Sequence, residues 1–176
     1  MAKTISPLAE HVLAEHQHQG RSNDCGPFSA AMVINAFSLH RINPVELARN
    51  MDQLRWNGIL PVIRRIPNWA TFPWGLVDVL RMAGFKAKWR PFGSTDGLIR
   101  ILEEGRIPLI IVGGWRPLWG HVMVLLAHDP DQGWGFANPA TFEKEIFWVP
   151  DPIFQRQWRA FGKLYISVNT VNPESG

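Results

Sequence analysis

The stretch Gln19-Gly-Arg-Ser-Asn-Asp-Cys25-Gly-Pro-Phe-Ser-Ala-Ala-Met-Val-Ile34 holds the only cysteine of the 176-residue chain. A polar loop, two residues suited to an N-cap (Asn23 and Asp24) and Pro27 in the first turn precede an apolar run through Ala30, Ala31, Val33, Ile34 and Phe37. The spacing predicts a core helix from about Cys25 to about Phe37, with Cys25 in its first turn. There the unpaired backbone N–H groups and the positive end of the helix dipole favour the thiolate, the nucleophilic form of cysteine. Gly26 leaves room for another backbone or a ligand to approach the sulfur. A lone cysteine is more often simply buried, but a polar loop and a helix start at its own position favour a helix end facing a cleft.

Outward from that helix, Pro7 to Glu15 is expected to form a short helix, and His16 and His18 to lie on the surface of the loop that leads to Cys25. Two histidines without a second cluster do not make a metal site, so no metal and no organic cofactor is expected. Gln19 lies six residues before Cys25. Folded back beside the helix end, its amide can point at a carbonyl that the sulfur attacks. Asn43-Pro44 caps a further helix ending near Asn50. Residues 54–73, rich in Trp, Pro and Arg without a clear period, are expected to be irregular loop with short helical turns. Arg64-Arg65 within it are either exposed or a site for an acidic peptide. Thr71 to Gly84 and Ser94 to Gly105 are expected helices with glycine stops, and Lys86 to Arg90 alternates as a strand.

The pattern then changes to strands. Ile107–Val112 and His121–Leu126 are apolar runs on either side of the loop Gly113-Gly-Trp-Arg-Pro-Leu-Trp-Gly120, and Asp129–Gly133 reads as a hairpin turn into Trp134–Asn138. Short elements follow at 146–149, 153–158 and 163–168. Helices in the first half and strands in the second predict an α+β fold, a helical layer on an antiparallel sheet with Cys25 in the cleft between them. The whole chain, 1–176, reads as one domain, with 1–18 as an N-terminal arm or helix.

Composition narrows the function. Charged residues make up 19% and hydrophobic residues 46%, which fits a globular chain. The net charge of +3 carries no dense Lys/Arg cluster, so nucleic acid is not the expected partner. One cysteine excludes an internal disulfide framework and a four-cysteine zinc site. No secretory signal or bilayer-spanning apolar run is visible, and a cytoplasmic location is the expectation.

A nucleophile needs a base and something to orient it. His121 opens an apolar strand beside the Gly120 loop, and Asn138 lies across the next hairpin, placed to accept a hydrogen bond from the far ring nitrogen. His11, His40 and His128 compete with His121. His128 is seven residues further along, so alternation sets it on the opposite strand face unless a bulge intervenes. Trp115, Trp119 and Gly120 are positioned to wall a substrate cleft, although packing over the sheet is the commoner fate of a tryptophan.

Gln19-x5-Cys25-Gly, Gly120-His121 heading an apolar strand, and Asn138-Pro139 after a hairpin resemble the bacteriocin-processing, double-glycine-leader peptidases of the papain-like clan. The likeness is to the broader C39-like group, runs from about Gln19 to about Val168, and includes Trp158 and Leu164–Val168. It implies a papain-like cysteine peptidase fold acting on a peptide or protein substrate. It also implies Cys25 as nucleophile, His121 as general base and acid, Asn138 as orienter and Gln19 as oxyanion donor. The family commonly carries Asp where this chain has Asn138; papain itself uses Asn. The transporter segments of the leader-processing branch are not seen here, and the papain-type Cys-Gly-Ser-Cys-Trp signature is absent. An acyltransferase on the same scaffold and a silent peptide-binding module are the alternatives.

Overall fold

The computed structural model describes residues 2–57 and 59–170. Its centre is an antiparallel sheet of β10-β9-β8-β7-β11-β6, with β1 paired to the far end of β8. In chain order the elements are β1 (Thr4–Ile5), α1 (Ala9–Ala14), α2 (Cys25–Phe37), α3 (Pro44–Asp52), β2 (Arg55–Asn57), β3 (Leu60–Val62), β4 (Arg65–Ile66) and β5 (Ala70–Thr71). They continue with α4 (Pro73–Met82), β6 (Lys86–Arg90), α5 (Thr95–Glu103), β7 (Ile107–Trp115), β8 (Leu118–Asp129), β9 (Gly133–Ala137), β10 (Phe147–Val149), α6 (Asp151–Ala160) and β11 (Tyr165–Asn169).

The α+β expectation holds, and its single helical layer becomes two. On one face Ala30, Val33 and Ile34 of α2 and Leu76 and Leu80 of α4 pack on Leu109, Ile111, Val122 and Val124. On the other, Leu98 and Leu102 of α5 and Phe154 and Trp158 of α6 cover Ile110, Met123, Leu125 and Trp134. Successive strand residues point to opposite faces, so a strand covered on both sides is apolar at every position. That is why Ile107–Val112 and Val122–Leu126 are uninterrupted apolar runs, all of them buried.

Several local expectations change. The predicted loop at 113–120 is mostly strand: β7 and β8 pair as far as Trp115 with Leu118. Within 54–73, β2 pairs with β3 and β4 with β5, in place of the expected helical turns. Asn43 caps α3, its Oδ1 accepting the N–H of Val45 at 2.9 Å, and Ser94 caps α5 through Gly97 at 3.1 Å.

Candidate functional site

α2 begins at Cys25 as expected, but neither Asn23 nor Asp24 caps it. The Asn23 amide donates to the Asn68 carbonyl at 2.7 Å, and Asp24 makes no side-chain cap bond. The Asp24 carboxylate instead pairs with Arg65 at 2.6 Å. The first N–H groups of the helix are thereby left for the thiol. Those of Cys25 and Gly26 favour the charged form of the half-buried sulfur, as does the N–H of Val122 on β8.

Val122 is the residue after His121, and it fixes α2 to the sheet through both of its peptide groups. Its N–H favours the charged form of Cys25, and its carbonyl accepts the Ser29 hydroxyl at 2.9 Å. Cys25 and Ser29 are one turn apart on the same helix face. The helix start and the start of the apolar part of β8 are therefore held in register.

On the β8 side, Nε2 of His121 lies 2.7 Å from Oδ1 of Asn138. The same oxygen accepts the N–H of Ala140 at 3.0 Å, which fixes the amide with its oxygen toward the ring. Nε2 must then carry the proton, and Nδ1 keeps a free lone pair. Asn138 is 6% exposed. Its carbonyl accepts the Thr141 hydroxyl at 2.9 Å and the Nε2–H of His16 at 2.8 Å. His16, expected on the surface, is buried for this reason. Sequence carries no signal for that contact, because the partner lies at the other end of the chain.

The approach loop is tied to the same turn. The backbone N–H of Gln19 donates to the Pro139 carbonyl at 2.8 Å, and Gln19 and Ser22 exchange bonds of 2.7 Å and 2.8 Å. One N–H of the Gln19 amide is spent on the Ser22 carbonyl; among the described residues the second has no partner, and Oε1 is buried without one. Gln19, Asn138 and His121 thus belong to one connected set. Cys25 reaches it through Val122; among the described residues no hydrogen bond joins the thiol to His121 directly.

Burial sets the ionisation state of the pair. It pushes the Cys25 thiol up, outweighing the three N–H groups that lower it, and the Asp24 charge adds to the rise. Burial thus works against the thiolate that the helix start favours. Burial also lowers His121, against a smaller rise from its bond to Asn138. Both directions favour the uncharged forms, thiol and imidazole.

Of the competing histidines, His11 and His40 are on the surface. A bulge does interrupt β8 between Leu125 and Ala127, and His128 beyond it is buried against Trp134 at 4.5 Å between ring centroids. The two cleft tryptophans separate. Trp119 is two residues from His121 on β8, so the two share a strand face, and it is 41% exposed. Trp115 turns to the end of α6, donating to the Ala160 carbonyl at 2.7 Å and stacking on Phe161. Gly120 is exposed. The space left by Gly26 is filled by Thr71, whose side chain would lie 2.7 Å from an added Cβ. Arg64 and Arg65 are buried, which removes them as an exposed site for an acidic peptide.

Comparison with known proteins places this architecture. The structure matches the crystal structure of a candidate C39-like peptidase from Bacillus anthracis with a TM-score of 0.68 at 16% identity, over 96% of this chain and 98% of that one. It also matches the peptidase domain of Streptococcus ComA, a bifunctional ABC transporter involved in a quorum-sensing pathway. There the TM-score is 0.54 at 17% identity, over 86% of this chain and 95% of that one. No protein-family model and no curated protein matches the sequence. The chain has the C39-like peptidase fold. No helix among the described residues is long and apolar enough to cross a membrane.

Proposed function

We propose that this chain is a cysteine peptidase, a single C39-like domain that hydrolyses a peptide bond through Cys25, His121 and Asn138. The observation that carries the reading is the His121–Asn138 bond of 2.7 Å, which leaves Nδ1 unprotonated, on the strand whose next residue accepts the Ser29 hydroxyl of the Cys25 helix at 2.9 Å.

An uncharged thiol and an uncharged imidazole define the order of events. The His121 Nδ1, directly or through one water, takes the Cys25 proton as the sulfur attacks the substrate carbonyl. The imidazolium that forms donates Nε2–H to Asn138 and then returns the proton from Nδ1 to the departing amine. Water, deprotonated by His121, attacks the thioester carbonyl, and the thiol is regenerated. The oxyanion would be met by the free N–H of Gln19 and the backbone N–H of Cys25. The neutral Gln19 amide suits that role because it adds no charge that would compete with the developing one. Trp119, on the His121 face, offers an apolar wall to an extended peptide, with Gly120 beside it.

The test is digestion of a peptide library read by mass spectrometry, with Cys25→Ala as control. Cleavage with free carboxyl and amine products that vanishes in the variant supports the reading. Amide products formed only with an added amine identify an acyltransferase. Peptide binding without turnover identifies a binding module.

A further inference from the structure

The residue before the nucleophile is an aspartate, and what the protein does with that charge is unusual. Asp24 neither caps α2 nor faces solvent freely; its side chain is 15% exposed and lies 2.6 Å from Nη2 of Arg65. The Arg65 side chain is 2% exposed, and its Nε faces Asp52 at the end of α3 at 3.0 Å. Burying a guanidinium costs several kcal/mol unless carboxylates compensate it, and two do so here.

Arg65 sits on β4 directly opposite Thr71 on β5. Thr71 is the residue that packs on Gly26, its Cβ and Oγ1 2.7 and 2.8 Å from where a Gly26 Cβ would lie, and Oγ1 is buried without a partner. Two cross-strand partners of one two-residue hairpin therefore grip the residues on either side of Cys25. That arrangement positions the sulfur. It also governs the charge nearest to it, because the Asp24 carboxylate opposes ionisation of Cys25.

We propose that Arg65 is a positioning residue for Cys25: by holding Asp24 in an ion pair, it limits how far the one adjacent anion suppresses thiolate formation. The inference rests on Cys25 being the nucleophile, and its test reads ionisation of the thiol rather than turnover. The charged and titratable groups around the α2 start are Asp24 on α2, Arg65 on β4, Asp52 on α3 and His121 on β8, with Arg21 exposed in the preceding loop.

The experiment is the pH dependence of carboxamidomethylation by iodoacetamide, which reports one site because the chain has one cysteine. Arg65→Met is expected to move the midpoint up by on the order of one pH unit. Asp24→Asn moves it down, Arg65→Lys keeps it near the wild-type value, and Asp24→Asn combined with Arg65→Met returns it close to wild type. A midpoint unmoved by Arg65→Met, or raised equally in the single and double variants, overturns the proposal, since a merely structural loss would not be repaired by removing Asp24. Should Arg65→Met fail to fold, Asp24→Asn decides alone: an unmoved or raised midpoint overturns it. The expected pattern without peptide cleavage would sink the peptidase reading and leave Arg65 its electrostatic role.

Discussion

Oδ1 of Asn138 accepts two hydrogen bonds at once, from Nε2 of His121 at 2.7 Å and from the N–H of Ala140 at 3.0 Å. The second bond makes the first directional: it prevents the amide from turning its NH2 group toward the ring, and so selects the His121 tautomer. Two variants separate this steering from charge. Asn138→Ala is expected to lower kcat/KM by about 100-fold or more through loss of the tautomer. Asn138→Asp replaces a neutral acceptor with an anion, which favours imidazolium and moves the acid limb of the pH–rate profile to higher pH. An acid limb that moves down in Asn138→Asp contradicts the assignment.

Gln19 is expected to act on the rate rather than on the fold. Gln19→Ala removes the free N–H and the bond to the Ser22 carbonyl, but keeps the backbone bond to Pro139. Loss of an oxyanion donor costs roughly 100- to 1,000-fold in kcat. Steady-state kinetics beside thermal unfolding checks this; a fall in Tm with unchanged kcat would make Gln19 a loop brace only.

The buried His121 also sets a stability slope. Its folded-state pKa lies below the ordinary value of 6.5, so as pH falls the unfolded chain binds the proton first. Stability therefore decreases as pH drops below about 6.5 and levels off for this group below its folded pKa. For Cys25 the sign reverses. Its thiol is raised above 9.0 when folded, so the unfolded chain loses the proton first and stability falls as pH rises through that region. Urea unfolding across pH in His121→Gln should lack the first slope. A slope that persists unchanged assigns it to other groups.

The two tryptophans predicted to line one cleft should part company. Trp119→Ala is expected to raise KM about five- to tenfold through loss of an aromatic contact of roughly 1 kcal/mol. Trp115→Ala loses the bond to Ala160 and the Phe161 stack, and should cost about 1 kcal/mol of stability with KM unchanged. KM values that move together would return both side chains to the cleft.

What the sequence discloses depends on how local the cause is. α2 and the caps of α3 and α5 are readable because a few neighbouring residues dictate them. The strands of β7 and β8 are readable because coverage on both faces imposes unbroken apolar runs, and the same runs imply the second helical layer. The β4–β5 hairpin escapes notice because two-residue strands carry no period and their register follows from tertiary packing. Asp24 looks like an N-cap in the sequence, yet its partner is Arg65, supplied by a distant hairpin. His16 likewise answers to the carbonyl of Asn138, just past the end of β9 and far away in sequence. The Cys25, His121, Asn138 and Gln19 set was visible as residue types in order. The upward push on the Cys25 thiol was not, because desolvation is a property of the packed structure.

The most direct measurement is labelling of Cys25 by an epoxysuccinyl peptide, read by intact-mass spectrometry in wild type, His121→Ala and Asn138→Ala. Opening the epoxide needs a sulfur nucleophile and a proton donor together, so the reagent reports the assembled pair. One adduct on Cys25, formed about 100-fold or more slowly without His121 and less severely slowed without Asn138, is the predicted result. Equal labelling in all three proteins, or none in wild type while iodoacetamide still reaches the thiol, would contradict the peptidase assignment.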